Sequence, residues 1–171
     1  MAEQRQRSVY LAGPAIFHPA ATVLLDYLKE VCTKHGLIGI SPVDGLAELG
    51  ALDADKRAAF IRQSNIDKIR AADMVIVCIS PFRGPGADAG SAWEMGYAEA
   101  LGKPVIAWSE EIQPYLSRVP HDRDEDGRIF CLQHGMQVED FGLVDNLMLA
   151  AGPIPVQPDF ESAVRLAAQQ A

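Results

Sequence analysis

The chain has 171 residues, 49% of them hydrophobic and 22% charged, with 14 glycines and 11 prolines, which is an ordinary globular composition for one domain with a sizeable core. A formal net charge of −8 argues against nucleic acid or an anionic membrane as partner, because phosphate binding needs clustered Lys and Arg. No apolar run approaches the roughly 20 residues needed to span a bilayer, and the first residues lack the apolar region of a signal peptide, so a cytoplasmic protein is expected.

The elements follow in order. Residues 8–12 read as a first strand, stopped by Gly13 and Pro14. A helix is expected over 20–35, with Val23, Leu24, Tyr27, Leu28 and Val31 at helical spacing and Gly36 as the residue after its end. Residues 37–40 form a short second strand. Residues 43–54 are loop-like, with a turn at Asp44 and Gly45 and room for a helical turn at 46–49. A second helix covers 56–72, with Phe60, Ile61, Ile66 and Ile69 as inward candidates. Residues 74–79 are apolar throughout and read as a buried strand.

Gly84, Pro85, Gly86 and Gly90 then forbid regular structure. Ser91 is read as opening a helix that Gly102, Lys103 and Pro104 close before a strand at 105–108. Residues 110–138 are irregular, with an exposed loop at 121–127. An apolar, helical segment covers 141–149, a short strand lies near Val156, and a last helix spans 159–170. Strands alternating with helices predict an α/β domain: a flavodoxin-like doubly wound sheet, mainly parallel, with helices on both faces.

In such a sheet the loops after strands one and three share the carboxyl edge, where ligands bind. That places Tyr10, Gly13 and Phe17 beside Arg83, Asp88, Gly90 and Glu94, all of them candidate site residues. Each is open to a plain reading. Ser91 and Glu94 have the spacing of a capping box, in which Glu94 only bonds a backbone N–H. Against this stand the Gly-rich approach and a second carboxylate six residues earlier. A helix N-terminus also favours the ionised form that a nucleophile needs. Asp88 reads as a turn residue or as an acceptor for sugar hydroxyls. Tyr10 is either a half-buried aromatic or the group that holds a neighbouring carboxylate. Arg83 either meets a phosphate or caps a strand end, the second reading being preferred.

The Gly-rich loop lacks both the GxGxxG and the P-loop patterns. The four His and three Cys show no ligand spacing, so neither metal nor disulfide is expected. Cys78, inside an apolar strand, reads as a small buried hydrophobe.

The stretches Tyr10-Leu-Ala-Gly-Pro-Ala-Ile-Phe17, Ser80-Pro-Phe-Arg-Gly84, Asp88-Ala-Gly-Ser-Ala-Trp-Glu-Met-Gly-Tyr-Ala98 and Asp145-Asn-Leu-Met-Leu149 resemble the nucleoside 2-deoxyribosyltransferase family, block by block and in order. The resemblance implies that Glu94 is the nucleophile, that Tyr10 orients it, and that Asp88 contacts the deoxyribose. It implies that Asn146 and Met148 enter the site of a neighbouring subunit, in a homodimer or larger even homo-oligomer. Asn65 falls where some members carry an Asp that meets the base. The substrates implied are 2′-deoxynucleosides and free nucleobases, exchanged through a covalent deoxyribosyl-glutamate with retention and with no cofactor. Related deoxynucleotide N-hydrolases carry an Arg in the loop after strand one that holds a 5′-phosphate. Gly13-Pro-Ala-Ile16 has none, which makes hydrolysis the second reading. A third is a non-catalytic nucleoside-binding module in which Glu94 merely caps its helix.

Overall fold

The computed structural model describes residues 5–46 and 53–170; the helical turn read at 46–49 lies largely outside them. Four strands, β1 (Ser8–Ala12), β2 (Ile38–Ile40), β3 (Met74–Cys78) and β4 (Val105–Trp108), form a parallel sheet in the order β2-β1-β3-β4. Tyr10 lies opposite Ile40 on one side and Val75 on the other, and Val77 opposite Ala107. All five residues of β3 are buried, as a central parallel strand covered on both faces requires. At Val156 there is no strand; its neighbour Gln157 bridges Trp108 in parallel and continues the sheet by one residue pair.

Alternation along each strand sends side chains to two separate cores. On one face Leu11, Ile76 and Ile106 pack against α1 (Ala21–Lys34) and, with Phe160 and Val164, against α5 (Phe160–Gln169). On the other, Tyr10, Val75, Val77 and Ala107 meet Ile69 of α2 (Ala54–Ala71) and Met95 and Ala98 of α3 (Ala89–Ala100). Each fully buried Val, Ile or Leu contributes about 1.5–3 kcal/mol of transfer free energy. Gly39 permits the close seating of α1: a Cβ there would lie 3.2 Å from the Lys29 Cα.

Four further expectations need correction. The buried stripe of α1 is Leu25, Leu28, Val31 and Cys32, while Val23 and Tyr27 face solvent. In α2 only Ile66 and Ile69 are buried, and Phe60 is exposed. Residues 121–127 are not simply a loop: β5 (His121–Arg123) pairs antiparallel with β6 (Ile129–Cys131). The segment 141–149 is mostly irregular, and only α4 (Leu147–Ala150) is helical. The three cysteines are free, and burial pushes the Cys32 thiol up to about 12. Among the described residues no helix is long and apolar enough to cross a membrane, and no three metal-ligating side chains converge.

Candidate active site

The parallel order brings β1 and β3 side by side, so their carboxyl ends open onto α2 and α3. Tyr10 points from β1 into the α2/α3 core, fully buried, and its phenol donates to Glu94 Oε1 at 2.6 Å. Burial, then the charge of Glu94, push the phenol far above its usual range, so it stays a proton donor. Asn65, on α2, donates through Nδ2 to the same oxygen at 3.5 Å. Its own Oδ1 is buried without a partner among the described residues, a state that costs about 1–3 kcal/mol unless a donor arrives. Glu94 Oε1 is thus fixed from two sides, and Oε2 accepts no hydrogen bond among the described residues.

Glu94 is not a capping residue. Asp88 occupies the N-cap of α3, and its Oδ2 accepts from both the Ser91 N–H and the Ser91 hydroxyl at 2.9 Å. Ser91 is therefore the third residue of the helix, and Glu94 lies beyond the first turn, where the helix dipole has faded. Its carboxyl is pushed up to about 7, first by burial and then by the nearby Asp88 charge, against the Tyr10 hydrogen bond and the Lys68 ammonium. The expectation that the helix end would favour ionisation is corrected accordingly.

Gly90 matters for space. A Cβ there would sit 3.0 Å from Asp88 Oδ2, so a side chain would crowd the capping carboxylate. Gly13 lets the chain turn close over β3, since a Cβ there would stand 2.9 Å from the Cys78 Cβ. Phe17, half exposed, stacks on Phe82 at 5.3 Å between centroids, and the Arg83 guanidinium lies over both rings. Arg83 adopts φ 55°, a conformation uncommon outside glycine.

Asn146 and Met148 are not brought to this centre by their own chain. Asn146 caps α4 through the Met148 N–H and donates to Glu139, and Met148 is 75% exposed.

Two groups escaped the sequence reading. Lys68, one turn from Asn65 on α2, places its ammonium on the Pro42 carbonyl and in the field of Glu94, and burial lowers its pKa. The i, i+3 spacing to Asn65 was the available signal. Asp145, nearly buried, accepts from the Ala87 and Asn146 N–H groups at 3.0 and 2.7 Å. Arg118 faces it at 3.9 Å and also holds the Pro85 and Val144 carbonyls, which ties the Gly-rich loop to 144–146.

Comparison with known proteins gives the family and the fold. A family model described as nucleoside 2-deoxyribosyltransferase matches residues 9–148, which include Tyr10, Asn65, Asp88 and Glu94. The solved 2-desoxiribosyltransferase from Leishmania mexicana superimposes with a TM-score of 0.77 at 32% identity, covering 95% of this chain and 97% of that one. A 2-deoxyribosyltransferase from Bacillus psychrosaccharolyticus gives a TM-score of 0.51 at 25% identity over 60% of this chain and 72% of that one. An uncharacterised protein of Schizosaccharomyces pombe, C191.05c, is 35% identical over 114 residues, which are 65% of this chain; the chain spans about half the length of that curated relative, 54%. With the family model matched along most of its length, this chain belongs to the nucleoside 2-deoxyribosyltransferase family.

Proposed function

We propose that the chain transfers 2-deoxyribose between nucleobases, with Glu94 as the nucleophile. The observation that carries this reading is the fixed carboxylate: Tyr10 and Asn65 hold Oε1 and leave Oε2 free. A capping glutamate would bond its own helix end, and this one does not.

In the first half-reaction Oε2 of ionised Glu94 forms a bond to C1′ as the C1′–N bond breaks through an oxocarbenium-like state. The bonding pair leaves with the base, which takes up a proton; Asp88 or a water supplies it. In the second, a ring nitrogen of the incoming base attacks C1′ from the face the first base left. The glutamate departs as carboxylate and the incoming base gives up its N–H proton. Two inversions give retention. The buried Oδ1 of Asn65 supplies an acceptor beside the reacting carboxylate.

The same reading assigns Asn146 and Met148 to a neighbouring subunit's site. Its support is the exposed, apolar run Leu147 and Met148 and the absence of any bond from Asn146 to Glu94 among the described residues.

The test is to incubate the protein with deoxyinosine and adenine, follow deoxyadenosine by chromatography, and trap the adduct by intact mass. Exchange with an adduct on Glu94 is expected. Release of hypoxanthine without deoxyadenosine would establish the hydrolase, and binding with no turnover would establish the binding module.

A further inference from the structure

Behind the sheet, away from Glu94, lies a half-open hollow of about 370 Å³. Leu11, Ile76 and Trp108 form its floor, all from the strand faces that look toward α1 and α5; Leu24, Leu28 and Phe160 form its walls. The loop after β1, from Gly13 to Pro19, roofs it. Strand alternation puts Tyr10 and Glu94 on the opposite side of the sheet, and neither they nor Asn65 nor Asp88 line it. The two places share only the loop after β1 and the ends of the strands.

A hollow of this size falls in the range of small-molecule sites, about 300–1,000 Å³, which are apolar with a few placed polar groups. Its polar groups sit at the strand ends. Ser80 Oγ accepts the Glu110 N–H at 3.1 Å, which draws Glu110 to the mouth. The exposed Glu110 carboxylate makes no ion pair among the described residues. His18 is turned by its Nδ1, which accepts the Ala20 N–H at 3.0 Å, so its proton sits on Nε2. Phe17 and Phe82 stack at the rim, and the Arg83 guanidinium, 5.1 and 4.6 Å from their ring centroids, does not line the hollow.

We propose that this hollow is a second ligand site, for a small aromatic molecule carrying one cationic amine. The ring lies against Phe17, Leu24, Phe82 and Trp108, none of them fully buried, and the ammonium reaches the Glu110 carboxylate. Apolar burial supplies the attraction, and the net charge of −8 favours a cation over an anion. The site excludes Tyr10, Asn65, Asp88 and Glu94, shares Gly13 and Phe17 of the loop after β1 with the candidate substrate site, and does not depend on the transfer chemistry.

The chain has two tryptophans, and only Trp108 lines the hollow, so Trp93→Phe makes its emission a reporter. Phenethylamine, 2-phenylethanol and 3-phenylpropionate serve as cationic, neutral and anionic probes of one ring. A saturable change in Trp108 emission is expected, with the amine tightest and the carboxylate weakest by roughly tenfold or more. Adding Glu110→Gln should remove the preference of amine over alcohol while ring binding persists. Adding Ala15→Phe with Leu24→Phe, neither fully buried, should fill the hollow and abolish the response, with folding checked by circular dichroism. No saturable response by about 10 mM amine, or a charge preference that survives Glu110→Gln, would overturn the proposal. Should the filled variant misfold, the Glu110→Gln comparison decides alone.

Discussion

The Tyr10 hydroxyl and the Glu94 carboxylate meet at 2.6 Å across 84 positions of sequence, one from the buried face of a central strand and the other from the second turn of a helix. The phenol stabilises the ionised carboxylate while burial opposes it, and burial wins, leaving the group near 7. If ionised Glu94 attacks C1′, kcat/KM must rise with pH along an acid limb with its midpoint near 7. Tyr10→Phe removes a donor to the charged form, so the midpoint should move up and the neutral-pH rate fall. A pH–rate profile of both proteins checks this, and a wild-type limb near the ordinary glutamate value of 4.5 would contradict it.

The same shift bears on stability. A folded-state pKa raised from 4.5 to about 7 means the native state holds a proton that the unfolded chain has released between those values. The stabilisation is therefore present below the unfolded value and lost as pH rises through the folded one. The ceiling is about 3 kcal/mol, lowered by solvent reaching the half-buried carboxylate. Glu94→Gln, neutral throughout, should melt higher than wild type above about pH 7.5, with a gap that closes toward pH 5. A gap independent of pH would point to packing instead of charge.

Asp88 carries two roles that substitution can separate. Asp88→Asn keeps an oxygen for the Ser91 N–H and should change the melting temperature little, whereas Asp88→Ala loses the cap at about 0.5–2 kcal/mol. If Asp88 also serves the substrate, both variants lose transfer activity, and the Asn variant does so at near-normal stability. Full activity in a stable Asp88→Asn protein would reduce the residue to a cap.

Much of this was legible in the sequence because the signals were dense. Residues 74–79, apolar without a break, could only be a central strand, and a Gly-rich loop followed by a helix fixed the βαβ unit around Glu94. What failed was decided by single contacts. Asp88 and Ser91 are both good caps three residues apart, and only Asp88 Oδ2, meeting both Ser91 donors, decides between them. The hairpin at β5 has three exposed residues and no alternation to read. In α1 the stripe through Leu25 and Cys32 was missed because Val23 and Tyr27 are equally apolar and simply face outward.

The clamp at Arg118 should matter for stability and for the loop. Asp145 is 3% and Arg118 14% exposed in their side chains, so Arg118→Met leaves a buried carboxylate without its cation. Such one-sided losses cost about 3–5 kcal/mol. The carboxyl is already raised by burial, and the variant should raise it further, which shifts the damage toward higher pH. Thermal melts at several pH values check this, and Asp145→Asn combined with Arg118→Met should recover part of the loss by removing the stranded charge.

Assembly gives the last test, because Asn146 has a local role that mimics a catalytic one. It caps α4 through the Met148 N–H and holds Glu139, so Asn146→Ala could lose activity by loosening its own chain. Mixing separates the two explanations. In the proposed two-fold pair each site would take Glu94 from one chain and Asn146 from the other. A heterodimer of Glu94→Ala and Asn146→Ala chains then contains one site with both lesions and one with neither. Activity should recover after subunit exchange, approaching half of the wild-type value per heterodimer. If Asn146 acts only within its own chain, each subunit keeps its own lesion and mixing recovers nothing. Size measurement of the wild type at assay concentration completes the experiment, since a fully active monomer would rule out a shared site.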